Sequence, residues 1–207
     1  MPNPLQGKKN RRGRPGLTPQ DHDRILASAR MLLAEKGAGG LRVRELAERS
    51  GVATGSLYKF YPEIDALIGA VNLETYRELT AHLHAAGALQ TRGDPLQALM
   101  QLARSYLVFV RDNAALWAVL LDYNRGRTGR AEAFLAAEDA LFALVEEALS
   151  GLPRLEGRDR PVLARALWAS VHGIVVQTLP NSLQPDPAAD TLRQIEMIVG
   201  AVVRNYG

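Results

Sequence analysis

Residues 43–61 read VRELAERSGVATGSLYKFY, and the spacing of their apolar positions decides the fold class. Val43, Leu46 and Ala47 fall at i, i+3 and i+4, one face of a short helix. Gly51 follows where a left-handed residue closes such a helix, and Val52 is placed to fold back onto it. Leu57, with Phe60 or Tyr61, then anchors a second helix to the same core. Thr54, Gly55, Tyr58 and Lys59 keep much of their surface free. Two short amphipathic helices around a glycine turn make a helix-turn-helix, whose second helix fits the major groove of DNA. The same spacing suits an αα-hairpin in any helical bundle, so the rest of the chain has to decide between them.

Charge separates the two ends of the molecule. Residues 1–60 hold 12 Lys or Arg against 5 Asp or Glu, and the remaining residues hold 13 against 17. A basic first third on a mildly acidic body implies a polyanion partner for the first part. Within residues 1–17, rich in Lys, Arg, Gly and Pro and without apolar periodicity, a flexible arm is expected. Its Arg12-Gly13-Arg14-Pro15 resembles the core of an AT-hook, in which Arg12 and Arg14 would enter a narrow minor groove. There is no cysteine, which excludes disulfides, thiol nucleophiles and thiolate metal sites and suits a reducing cytoplasm. No apolar run approaches the ~20 residues of a membrane span. The basic start lacks the apolar stretch of a secretory signal, so a soluble cytoplasmic protein is expected.

Thr18-Pro19-Gln20-Asp21 is a helix start, with Thr18 as N-cap, Pro19 at the first helical position and Asp21 at the third. Ile25, Ala29, Leu32 and Leu33 form the apolar stripe that follows, Gly37 ends it, and Leu41 plugs a small core. Pro62 interrupts the chain, and a longer helical pattern runs from Ile64 to about Ala86. Asp94-Pro95 starts another helix, and Asp112-Asn113 opens a short one through Leu116, Trp117, Leu120 and Leu121. Residues 124–129 read as a loop. A long helix carries Phe134, Leu135, Leu141, Phe142, Leu144, Val145 and Leu149. An unusually apolar helix runs from Pro161 to Leu179, residues 180–187 form a turn, and Asp186-Pro187 caps the last helix. No segment alternates as a strand does. The expectation is an all-α chain of about nine helices: an arm at 1–17, a three-helix DNA-binding domain at 18–62, and a larger helical domain at 63–207.

With this layout in view, residues 18–71 closely resemble the DNA-binding domain of the TetR family of bacterial transcriptional regulators. The matching positions are Ile25-Leu26, Ala29, Leu33, residues 34–37, residues 43–47, Gly51-Val52, residues 55–59 and Tyr61-Pro62. Residues 168–173, around Trp168 and His172, are similar to a segment in the penultimate helix of some members. The resemblance implies that Thr54 and Gly55 approach base edges, Tyr58 touches phosphate, Lys59 touches phosphate or base, and Arg44 lies near the backbone, with Ser56 a further DNA-binding residue. Four positions depart from the pattern. Arg42 stands at an N-cap usually held by Thr or Ser, which makes it a further candidate phosphate contact. Ala53 replaces a Ser cap and leaves Thr54 to cap one residue late. Phe60 replaces a common His, and Ile64 a common Lys.

The resemblance further implies a small-molecule effector pocket within the fourth to seventh helices and a homodimer built on the last two. The pocket candidates are Tyr76, Tyr106, Phe109, Trp117, Tyr123, Phe134 and Phe142, rings that also suit plain core packing. The dimer candidates are Leu167, Trp168, Val171, His172, Val175, Ile195, Ile198, Val199 and Val202. The broad apolar faces of both helices support that interface independently. His82 and His84, two apart on a helix, point in different directions, so no metal site is expected, and no cofactor. No nucleophile–base constellation or phosphate-cradling loop suggests an enzyme. The expected function is a ligand-responsive, sequence-specific repressor that binds a palindromic double-stranded DNA operator as a homodimer, away from the membrane. An architectural DNA-binding protein that relies on the basic arm is the alternative.

Overall fold

The computed structural model describes residues 18–86, 93–124, 132–178 and 187–207. The basic arm with Arg12 and Arg14 lies outside them, as do most of the loop expected at 124–129 and of the turn expected at 180–187. The described residues form nine helices and no strand: α1 (Pro19–Gly40), α2 (Val43–Ser50), α3 (Thr54–Phe60), α4 (Ile64–Ala85), α5 (Pro95–Asp112), α6 (Ala114–Asn124), α7 (Glu132–Leu149), α8 (Arg160–Thr178) and α9 (Pro187–Tyr206).

Local chemistry sets the first boundaries. The Thr18 hydroxyl accepts the Asp21 amide at 3.2 Å, and the Asp21 carboxylate accepts the Thr18 amide at 2.9 Å, a reciprocal cap. Gly37, with φ 66°, breaks α1, and the chain continues to Gly40 before Leu41 enters the core. Gly51 closes α2 at φ 68° and ψ 20°, a left-handed conformation that glycine adopts without steric cost. Its amide donates to Glu48 at 3.2 Å and that of Val52 to Ala47 at 3.1 Å, the paired bonds of a Schellman motif. Outside, Arg49 meets Glu35 at 2.7 Å and Lys36 meets Glu45 at 2.6 Å, tying α2 to α1. Exposed pairs of this kind contribute about 0–1 kcal/mol each, so they orient α2 more than they stabilise it.

Two apolar cores result. In the first, Ile25, Leu32, Leu33, Leu46, Val52 and Leu57 from α1–α3 and their connections pack with Leu67, Ile68 and Val71 of α4. The second gathers the remainder of α4 with α5, α7, α8 and α9. Helix α6 serves both: Leu116 and Val119 complete the first core, while Trp117 and Leu120 lie in the second. The Tyr123 hydroxyl at the far end of α6 donates to the Asp65 carbonyl at 3.2 Å. A methyl group on Gly69 would come within 2.6 Å of that hydroxyl oxygen, so glycine permits the approach of α6 to α4.

The two last helices correct one expectation. Leu167, Val171, Val175, Ile195 and Val199, expected at a dimer interface, are buried within the second core of a single chain. Trp168, His172 and Val202 are half-buried, and Ile198 alone of the nine is exposed. The apolar pattern of these helices suggests one face too many, but packing α8 and α9 onto α5 and α7 consumes most of it. What stays outside is a set that shares only Ile198 with the nine. Val162 and Met197 are each 68% exposed, and Ala166, Ala169, Ile198 and Ala201 are exposed as well.

Candidate functional site

The surface formed by α2 and α3 is built from side chains that the fold does not need. Leu57 holds α3 to the first core, and Thr54, Gly55, Tyr58 and Lys59 are exposed, Tyr58 at 48%. Ser56 is half-buried. A methyl group on Gly55 would meet nothing within 4 Å, so the protein's own packing does not require glycine there. Among the described residues, neither Arg44 nor Lys59 makes an ion pair, whereas Arg24, Arg30, Lys36 and Arg49 do. The exposed faces of α2 and α3 thus carry two cations without an ion pair, Arg44 on α2 and Lys59 in the last turn of α3.

The cap chemistry differs from expectation at one point. Helix α3 begins at Thr54 itself, with extended Ala53 before it and no side-chain cap, so Thr54 is the first helical residue and not a late cap. Arg42 precedes α2, also without capping it. Its guanidinium turns back to donate to the carbonyls of Gly39 at 2.7 Å and Leu41 at 3.2 Å. Those bonds satisfy acceptors at the end of α1 and leave other guanidinium N–H groups available.

The rear of α3 is fixed by a residue that sequence reasoning missed. His22 of α1 stacks on Tyr61 with ring centroids 5.6 Å apart and meets Phe60 edge-on at 5.5 Å. Its Nε2 is 2.8 Å from the Tyr61 hydroxyl. Burial, with the charges of Glu74 and Asp23, pushes the Tyr61 phenol up to about 12. Burial likewise raises the carboxyl of Glu74. A single histidine on a helix with a clear apolar stripe carries no periodic signal that would have found it.

The second core contains a narrow cavity of about 40 Å³. Its wall is Leu83, Leu99, Leu102, Ala103, Tyr106, Val145, Leu167, Trp168, Val171 and Val199. Of the seven rings expected around a pocket, Tyr106 lines it. Trp117 lies edge-on to Tyr106 at 5.7 Å and Phe109 edge-on to Trp117 at 6.2 Å. Phe142 is edge-on to Trp168 at 6.5 Å. Tyr76 and Phe134 pack on one another at 5.1 Å and are not part of the wall. Tyr123 faces α4 instead, at Asp65. Trp168, expected at the dimer surface, is a cavity residue, and the aliphatic wall from five helices goes beyond what the sequence pattern shows.

Tyr106, whose ring is part of the wall, joins a half-buried polar group that is not part of it. The Tyr106 hydroxyl is 2.6 Å from Nδ1 of His172. Burial drives the Tyr106 phenol well above its ordinary value and holds the His172 imidazole below its own. The Trp117 indole opposes the rise at Tyr106, but its N–H stops short of a hydrogen bond and is buried without a partner. Both amide atoms of Asn72 on α4 are buried and unpaired too. Each such group, where nothing satisfies it, costs about 1–3 kcal/mol, and an ordered water or a ligand atom is the usual partner of such a group.

Comparison with known proteins follows the two cores. The family model described as bacterial regulatory proteins, tetR family, matches residues 25–71. The model described as tetracyclin repressor-like, C-terminal domain, matches residues 99–202. The chain belongs to the TetR family. As a member of a family of transcriptional regulators, it is a DNA-binding regulator whose helix-turn-helix is formed by α2 and α3. Three solved structures share the TetR-family fold at low identity. A protein from Rhodococcus sp. RHA1 is 22% identical, with a TM-score of 0.71, over 93% of this chain and 97% of the other. The regulator FadR from Bacillus subtilis, solved in complex with stearoyl-CoA, is 15% identical, with a TM-score of 0.65, over 86% and 97%. The TetR-family regulator PfmR from Thermus thermophilus is 18% identical, with a TM-score of 0.60, over 88% and 98%. No curated protein sequence matches the chain. Among the described residues of this TetR-family protein, no helix is long and apolar enough to cross a membrane.

Proposed function

We propose that the protein is a dimeric, sequence-specific repressor that leaves a palindromic operator when a small molecule enters the second core. The observation that carries this reading is the α2–α3 surface, where unpaired Arg44 and Lys59 border exposed Thr54, Tyr58 and the open Gly55. Arg42, Arg44, Tyr58 and Lys59 hold phosphates, while Thr54, Gly55 and Ser56 let the backbone reach base edges. Arg12 and Arg14 of the arm add contacts in the minor groove.

Dimerisation uses the apolar residues that α8 and α9 leave outside: Val162, Met197 and Ile198, with the small residues Ala166 and Ala169. A two-fold interface there sets two α3 helices about 34–36 Å apart, one turn of DNA. Helix α6 supports the effector reading, because its two faces belong to the two cores. Widening the cavity at Tyr106, on which Trp117 packs, displaces α6, and Leu116 and Val119 carry that displacement into the DNA-binding body. The effector needs only to prefer the displaced state to shift the population away from operator binding.

Hydroxyl-radical footprinting on the DNA upstream of the coding sequence tests the reading, with sedimentation of the native protein and Met197→Glu in parallel. Two protected half-sites about one turn apart and a dimer dissociated by the substitution are expected. A single continuous footprint that follows no sequence would favour the architectural alternative.

A further inference from the structure

We infer that His22 is a positioning residue for DNA reading: its bond to the Tyr61 hydroxyl holds α3 at the angle at which Thr54 and Gly55 reach base edges. It therefore governs sequence choice more than overall affinity, an inference that rests on the reading of the α2–α3 surface as the sequence-reading face. Helix α3 has little hold of its own. It is seven residues long, Leu57 alone among them is buried, and no side chain caps its start. A short helix with one buried side chain is free to swing about that anchor. A recognition surface has to be held to within roughly 0.5 Å or 10–20° of its productive geometry. A second anchor at the far end of α3 is what fixes its direction.

The aromatic clamp supplies that anchor. The Tyr61 amide closes α3 by donating to the Leu57 carbonyl at 2.9 Å, so the Tyr61 ring moves with the helix. Its hydroxyl is 2.8 Å from Nε2 of His22, and the two rings stack at 5.6 Å. Phe60, the last residue of α3, meets the same imidazole edge-on at 5.5 Å. His22 itself stands on fixed ground. Its amide donates to the Thr18 carbonyl at 3.3 Å beside the Thr18–Asp21 cap, and Ile25 and Leu26 just beyond it are buried in the first core. Nδ1 faces the Asp23 carboxylate at 3.4 Å, which favours the tautomer protonated there and leaves Nε2 to accept. The Tyr61 phenol, pushed up to about 12, keeps its proton and donates it. His22, Phe60 and Tyr61 are all half-buried, so a hydroxyl released from this bond can turn to water and the core can stay closed. Attraction to phosphates needs charge and no fixed helix angle, whereas contacts to base edges need the angle.

His22→Phe and Tyr61→Phe cut this bond from opposite ends and keep both rings, and His22→Gln returns an acceptor near the place of Nε2. Each variant of the full-length protein is first checked by circular dichroism at neutral pH. Fluorescence anisotropy then measures its binding to a duplex selected from a random pool by the native protein, and to a scrambled copy. Each Phe variant should bind the selected duplex about tenfold more weakly, the size of one lost base contact. Its affinity for the scrambled duplex should stay within about twofold of native. The double variant should be no weaker than either single one, because both substitutions remove one bond, and His22→Gln should recover part of the loss. Equal weakening on both duplexes, or losses that add in the double variant, would overturn the inference. So would lost circular dichroism in both Phe variants, which would make the bond a structural one. If the pool yields no preferred duplex for the native protein, the reading of α2–α3 fails and the inference falls with it. A preferred duplex that both Phe variants bind as tightly as the native protein counts against the role of His22 alone.

Discussion

The DNA-binding body and the cavity body of this regulator differ in where their candidate ligand-contacting groups lie. In the first, Arg44, Thr54, Tyr58 and Lys59 stand outside a small core that is complete without them. In the second, Tyr106, Trp117 and Thr191 are drawn inside, and Trp117 keeps an unpaired atom there. Exposed groups cost nothing while they wait for a charged partner as large as a duplex. Buried unpaired groups destabilise the folded chain until a small partner satisfies them. Under the proposed function, the first body meets the large, highly charged ligand and the second a small molecule. Helices α4 and α6 matter because residues of each belong to both.

The largest expected effect comes from cutting that joint. Leu116→Ala removes a buried side chain from the α6 face that packs into the first core, and should destabilise the protein by about 2–5 kcal/mol. Chemical denaturation should show it, and a loss below ~1 kcal/mol would mean that the two bodies are not joined through α6. Next, Tyr58→Ala combined with Lys59→Ala should weaken operator binding by roughly 100-fold while circular dichroism and dimerisation stay native. Retained binding would move the contact helix elsewhere.

Gly55→Ala sharpens the contrast, since it should act oppositely on fold and function. A methyl group meets nothing in the protein, so stability should hold or rise by about 0.5–1 kcal/mol. DNA affinity should fall about tenfold, or ~1.4 kcal/mol, where the backbone can no longer approach the bases. Unchanged affinity would make Gly55 a bystander.

The smallest effect is the acid limb of stability. The folded pKa of His172 lies below its unfolded value, so the unfolded chain binds the extra proton. Its contribution is present above the ordinary histidine value of 6.5 and is lost as the pH falls through the lower folded value. His172→Gln should therefore flatten the decline of the melting temperature between about pH 7 and pH 5. An identical decline in the variant would assign the acid sensitivity to other groups.

How much of this is legible in the sequence depends on range. The Thr18–Asp21 cap, the break at Gly37 and the Gly51 turn are local events, each set by a few adjacent residues, and all three show in the sequence. The first core follows because three short amphipathic helices leave few ways to bury Ile25, Leu33, Leu46 and Leu57. The cavity does not follow. Its wall takes aliphatic residues from α4, α5, α7, α8 and α9, and periodicity shows that Leu99 or Val171 is buried without showing against what. For the same reason Leu167, Val175 and Ile195 look like surplus apolar surface until α8 and α9 are seen packed on the core. His22 is invisible because its partners, Phe60 and Tyr61, lie on another helix and its end.

The central claim is that the outward polar groups of α2 and α3 recognise one DNA sequence through its charge and its base edges. Fluorescence anisotropy with labelled upstream DNA and a scrambled duplex of equal length, across a salt series, tests it most directly. The native protein should prefer the upstream sequence by roughly 10³-fold or more at physiological salt. Its affinity should fall linearly on a log–log plot as salt rises, with a shallower slope once Lys59 is removed. Equal affinity for both duplexes, or a slope that Lys59→Ala leaves untouched, would contradict the assignment of this surface.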